Sequence, residues 1–252
     1  MEYFWKQQDD IPAGMGYPLF GSVHIISTIV TLLIAGALIF FICRMKPERQ
    51  RRVLKGIPVL MLGMELFKDL FLVSVHRFSL WYLPLHICSI GIFIFLLREY
   101  LPGQRAKDFF GELSYILIFP SSVAALIFPD WTIYYPTLNF MNLYSYAWHG
   151  MLIVYPLALR LNGYVIPSIK RMHWPLLFLC CVTPFIYVFD KLSGCNFFFV
   201  NYPVANSPLA FLESFMGNPG YLIGYAGLVM AVIAIVYLMD SICAKSLSKK
   251  KF

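Results

Sequence analysis

Apolar runs long enough to cross a bilayer recur along this chain from Phe20 to Met239, and short stretches between them hold most of its charge. A hydrocarbon core about 30 Å thick takes roughly 20 residues of helix, and each run matches that length. With 60% hydrophobic and 13% charged residues in 252, the chain has far more apolar surface than a water-soluble domain can hide. Only helices satisfy every backbone polar group within lipid without closing a barrel. The expected fold is therefore all-α and polytopic, with seven transmembrane helices over about 20–43, 53–75, 83–99, 109–128, 137–159, 174–189 and 218–239, forming one bundle over 1–252. Pro120 is expected to kink the fourth segment.

The loops orient the bundle. Sixteen of the 20 Lys and Arg residues follow segments one, three, five and seven, at positions from Arg44 to Lys55, Arg98 to Lys107, Arg160 to Arg171, and Lys245 to Lys251. Lys6, Arg77 and Lys191 lie on the other side, and Lys68 is inside segment two. This positive-inside bias predicts an outer N-terminus and a cytoplasmic C-terminus in a multi-pass cell-membrane protein. Trp5, Trp81, Trp131, Tyr134 and Tyr135 then flank segments on the outer side, where amphipathic rings favour the interface. Topology accounts for the net charge of +7, so no nucleic-acid partner is expected, whereas membrane lipids are. The acidic first residues lack the basic region of a cleavable signal peptide. The SKKK tail reads as an anchor near anionic lipid.

Polar side chains at bilayer depth need a partner, water or a function. On segment five, Asn139, Asn142, Ser145, Tyr146 and His149 share one face at 100° per residue. His24, Ser27, Thr28 and Thr31 do so on segment one, and Glu65, Lys68 and Asp69 on segment two. His86, Cys88, Ser89 and Gly91 surround segment three, which places that helix centrally. At 1.5 Å per residue, His24, His86, Cys88 and Asn142 lie about 5 to 8 Å deep, Asp69 about 9 Å, Glu65 about 15 Å and His149 about 18 Å. A common level in the outer half is what a site requires. Equally, Glu65, Lys68 and Asp69 can neutralise one another locally, and a lone histidine such as His24 can serve as an interhelical hydrogen-bonder. Gly220 and Gly224 read as close-packing positions. No HxxxH-type spacing occurs on one segment, so neither a metal nor another cofactor is expected. The stretch from Lys191 to Gly217 is too apolar for a free loop and too short to span, which predicts a re-entrant or interfacial segment.

LPLHIC (Leu83 to Cys88), His24, His149 and the late stretch GCNFFFVNYPVANSPLAFLESFMGNPGY (Gly194 to Tyr221) resemble the bacterial YwaF-like integral membrane proteins, distantly similar to eukaryotic transmembrane protein 164. Phe197 stands where that family's pattern has Tyr. The resemblance implies acyl transfer between phospholipids, with Cys88 as nucleophile and His149 as base; on the residues alone His86 is a second candidate base. Asn142, Tyr146 or Asn196 would supply oxyanion hydrogen bonds, with Glu65, Asp69 and His24 in support. An intramembrane acyltransferase or lipid hydrolase is thus one expectation. A proton-coupled transporter or a small-molecule sensor using the same Glu, Asp and His residues is the other.

Overall fold

The computed structural model describes residues 2–249, and Lys250 and Lys251 of the basic tail lie outside the described residues. Helices are the only regular secondary structure among them. They run as α1 (Ser22–Arg44), α2 (Pro47–Ser74), α3 (Ile87–Tyr100), α4 (Gln104–Ile127), α5 (Phe140–Leu161), α6 (His173–Ser193), the short α7 (Pro208–Met216) and α8 (Tyr221–Lys249). Four stretches are long and apolar enough to cross a membrane: Ser22–Arg44, Gln104–Ile127, Ile169–Ser193 and Tyr221–Cys243. Hydrogen bonds between loops divide them into two sets, a basic end and a loop-rich end. The loop-rich end carries the N-terminal segment, residues 75–86, 128–139 and 194–220.

The boundaries depart from expectation where proline or a cap intervenes. Helix α2 begins at Pro47, whose fixed φ suits the first helical position, so much of the basic stretch RMKPERQRR is helical. Helix α3 begins only at Ile87. Pro84 disfavours helical φ/ψ at Leu83, which is extended (φ −60°, ψ 142°), and His86 is the N-cap residue. Pro120 removes one helical donor, and α4 accommodates it through a π-helical turn at Ser114–Ile118 immediately before it. Asn139 is the N-cap of α5, its side chain accepting from the Met141 N–H at 2.8 Å.

The most enclosed helix is α5, with buried residues on every side of its second half, including Leu152, Ile153, Val154 and Tyr155. It packs on α1, α2 and α4. Helix α3, expected at the centre, lies beside it and touches α2, α4 and α5. Gly91 permits this approach: a Cβ there would lie 2.9 Å from side-chain atoms of both Ile118 and Leu152. By contrast α1 exposes Ile26, Leu33 and Phe41 at 61, 68 and 62%, an apolar surface suited to lipid.

Residues 194–217 fold back onto the bundle. Cys195, Phe197 and Phe198 are buried against Leu83, Leu85, Ile87, Leu179 and Val182. Ser207 caps α7, and α7 packs against α8. Gly224 serves that contact, since a Cβ would lie 2.8 Å from Met216 Sδ and 2.9 Å from Leu212 Cδ2.

Candidate functional site

A cavity of about 510 Å³ lies toward the loop-rich end, between α2, α3, α4, α5 and α8, with residues 198–209 along one side. Its walls have two characters. Glu65, Lys68, His86, Cys88, Ser121, Asp130, Tyr144 and His149 bring polar groups. Leu179, Leu228, Val229, Val232 and Ile233 contribute an apolar surface from α6 and from the middle of α8.

His149 is held firmly. Its Nδ1 is 2.7 Å from the Ser145 carbonyl one turn earlier, and its ring stacks on Trp131 with centroids 5.0 Å apart and planes at 6°. A neutral imidazole that donates from Nδ1 to a carbonyl keeps Nε2 as a free acceptor. His149 lies nine residues into α5, about 13.5 Å along its axis, so Trp131 must descend into the bundle to reach it. The expected interfacial position of Trp131 is thus corrected: the loop turns inward at Trp131 and Thr132, the latter fully buried, while Ile133 and Tyr134 stay exposed. Tyr135 is corrected likewise, being buried and bonded to Gln7 at 3.2 Å. Asp130 reaches the cavity from the same loop, and burial pushes its carboxyl above its ordinary value, against a smaller opposing pull from its own and the Trp131 backbone N–H.

His86 lines the cavity in front of α3, its ring in contact with Phe197 and Phe199 at 4.8 and 5.5 Å between centroids. Because His86 precedes the helix, the expectation that it shares one regular helix with Cys88, Ser89 and Gly91 does not hold. Cys88 Sγ is 3.8 Å from Ser121 Oγ, and Ser121 in turn donates to the Ile118 carbonyl at 2.9 Å. Among the described residues Cys88 has no hydrogen bond with a histidine, so the thiol and His149 share a cavity without forming a resting dyad.

The acidic residues of α2 close on themselves. Lys68 Nζ is 2.7 Å from Glu65 Oε1, 3.2 Å from Asp69 Oδ1 and 3.2 Å from the Tyr82 carbonyl. Tyr144 donates to the other Glu65 oxygen at 2.5 Å. Both oxygens of Glu65 are engaged, and the local neutralisation foreseen for this trio is what the geometry displays.

Four candidates do other work. His24 accepts from the Phe20 N–H at Nδ1 (3.0 Å), which makes Nε2 the donor to the Leu126 carbonyl at 2.9 Å and ties α1 to α4. Asn142 and Tyr146 hold the N-terminal segment through Tyr17, at 2.8 and 3.4 Å. Asn196 organises the fold-back, accepting from the Asn201 and Tyr202 N–H groups and donating to the Tyr202 carbonyl. None of the four lines the cavity. The polar face of α5 therefore serves two partners: Asn142 and Tyr146 bind the N-terminal segment, while Ser145 and His149 face the cavity. Asp130, Trp131, Tyr144 and Ser121 escaped the sequence reading, although the PDW triplet beside the polar α5 face is a signal that could have found the first two. Among the described residues no three His, Cys, Asp or Glu side chains gather to hold a metal ion.

A helical bundle whose long apolar helices enclose an amphipathic cavity defines a multi-pass membrane protein set in lipid. The chain belongs to the TMEM164 family, whose model matches residues 19–237. The match covers the LPLHIC and late-stretch elements and bears out the resemblance at the level of that family, without a YwaF designation. No curated protein and no solved structure gives a match.

Proposed function

We propose that this chain is a seven-span membrane protein, N-terminus outside, that binds a single lipid acyl chain in its cavity and transfers or hydrolyses the acyl group at the polar end. The observation that carries the reading is the cavity itself. A cavity of about 510 Å³ with a mostly apolar wall suits an acyl chain. Its apolar wall follows α8 and α6, and the reactive side chains sit at one extremity, where an ester would lie if the tail occupied the apolar part.

His149 has the attributes of a base: a fixed ring, a committed Nδ1 and a free Nε2 open to the cavity. In the transfer step Nε2 takes the proton of the Cys88 thiol as sulfur attacks the ester carbonyl. The carbon–oxygen bond to the alcohol then breaks, and the alcohol leaves with that proton. Water or a second alcohol releases the acyl group by the reverse sequence. The step needs the thiol to swing from Ser121 toward Nε2, so substrate must complete the pair. A proton-relay transporter is less well supported, because Glu65 and Lys68, the central charges of such a path, are already paired with each other and with Tyr144 and Tyr82.

The test incubates purified protein with a phospholipid carrying a labelled acyl chain and follows released lysolipid and acylated peptide by mass spectrometry. Label on Cys88, lost in Cys88→Ala and depleted in His149→Ala, supports the reading. Full turnover in Cys88→Ala removes the thioester route, and absence of turnover in the unmodified protein leaves the cavity as a binding site for a transporter or sensor.

A further inference from the structure

A second grouping lies at the basic end, at the sharp turn from α1 into α2. Arg44, Lys46, Arg49 and Arg52 converge on one groove floored by Phe41 and Met45, with Glu48 its only acidic member. None of these four cations forms an ion pair among the described residues; Arg98, Arg160 and Arg171 at the same end are paired while Arg51, Lys55, Arg105, Lys107 and Lys170 are not, so what distinguishes the four is their convergence on one groove. Four like charges gathered at one helix–helix turn repel one another, and an anion seated among them would relieve that repulsion.

Local structure sharpens the preference. Helix α2 starts inside the groove with Lys46 at its N-cap, and no side chain caps its first amides. The positive end of a 28-residue helix thus adds to the side-chain field. Arg44 is held over the Phe40 ring at 5.0 Å, which keeps its guanidinium beside the groove. On the neighbouring surface of α1, Leu38, Phe40 and Phe41 are 41, 54 and 62% exposed. A ligand that fills the groove therefore meets cations at one end and an apolar helix face at the other.

We propose that this groove is a binding site for the phosphate headgroup of an anionic membrane lipid whose tails lie along α1. Solvated cations after a membrane helix are ordinary; convergence on one groove with an apolar floor and an open helix N-terminus sets this cluster apart. The site is separate from the cavity and does not depend on any reaction there.

The experiment uses the full chain in detergent with phosphatidylglycerol, phosphatidylcholine or inorganic phosphate added at equal concentration, read by native mass spectrometry and thermal stability. Phosphatidylglycerol is expected to stay bound and raise the melting temperature, with little effect from the other two. The triple variant Arg44→Gln, Arg49→Gln, Arg52→Gln should weaken retention by roughly a hundredfold. An equal shift from inorganic phosphate reassigns the groove to a soluble anion and overturns the lipid proposal, as does undiminished retention in the variant. A photoactivatable phosphatidylglycerol on the unmodified protein gives an independent reading should the variant misfold. Cross-links within residues 38–52 support the site, and cross-links confined elsewhere refute it.

Discussion

The two ends of the bundle treat buried polarity in opposite ways. At the basic end Glu112 is fully buried and accepts from Arg171 Nε, from the Tyr237 hydroxyl at 2.6 Å and from the Ser168 N–H at 3.1 Å. Arg160 and Asp240 form a two-point pair at 2.5 and 3.2 Å, and Glu99 binds both Arg98 and the Tyr155 hydroxyl. Of eight buried side-chain atoms without a hydrogen-bond partner among the described residues, Arg98 Nε alone belongs to that end. Asp69 Oδ1 keeps its ion pair with Lys68, and the other six, on Gln7, Trp131, Thr132, Asp190 and Asn201, lie at the loop-rich end, with Trp131 lining the cavity. Unsatisfied buried groups are costly, so their concentration marks the end that also holds the cavity as the place where the fold gives up stability.

The sharpest way to break this comparison is to open the basic end. Replacing Glu112 by Ala leaves the partly exposed Arg171 unpaired and strips acceptors from Tyr237 and Ser168, at an expected cost of about 3–5 kcal/mol in detergent-solubilised protein. Asp130→Ala at the cavity should cost far less. Denaturation curves for the two variants check the contrast, and equal losses would end it. Next in size is Asn139→Ala, which removes a helix cap and the bonds from Nδ2 to the Tyr3 and Lys6 carbonyls at 2.7 and 2.9 Å. About 2 kcal/mol is expected, together with faster proteolysis within the first twenty residues.

This difference between the ends was only partly legible in the sequence. Hydropathy and cation placement carry the helices and the two sets of loops, because lipid imposes those patterns locally. The closed Glu65–Lys68–Asp69 trio was legible for the same reason: its members are within one turn. Depth placed His86, Cys88 and His149 in the outer half or at the midplane without bringing them to one level, and all three line the cavity. Asn142 and Tyr146 were not separable from His149, since helical periodicity gives a face but not the partner on it, and Tyr17 is more than a hundred residues away in sequence. Trp131 looked like an interfacial residue and Asp130 went unread, because composition does not reveal that a loop turns inward.

Asp190 sharpens the comparison with a change of sign. It is fully buried near the loop-rich end, and neither carboxylate oxygen has a hydrogen-bond partner among the described residues. A buried carboxylate without a partner loses its hydration with nothing in return, so a neutral side chain of the same shape is the more stable occupant. Asp190→Asn should raise stability at neutral pH by about 1 kcal/mol. Melting temperatures of both proteins at pH 7 test it, and a destabilised variant would show that the carboxylate is satisfied after all.

The smallest expected effect falls inside the cavity, at Ser121. Its hydroxyl donates to the Ile118 carbonyl at 2.9 Å, but Ser122 donates to that same oxygen at 2.7 Å, so loss of Ser121 leaves the acceptor satisfied. The contact from Cys88 is a weak thiol donor at 3.8 Å. Ser121→Ala should therefore change stability by less than about 0.5 kcal/mol. Its consequence is for reactivity: with Ser121 gone, the thiol loses this hydrogen-bond partner and is freer to turn toward His149 Nε2. In a protein where Cys88 is the sole cysteine, the rate of alkylation by N-ethylmaleimide should rise on Ser121→Ala, and the rise should disappear when His149 is also replaced by Ala. A rate indifferent to both substitutions would mean that Cys88 is a packing residue, and the chemistry of this end would then rest on His149 alone.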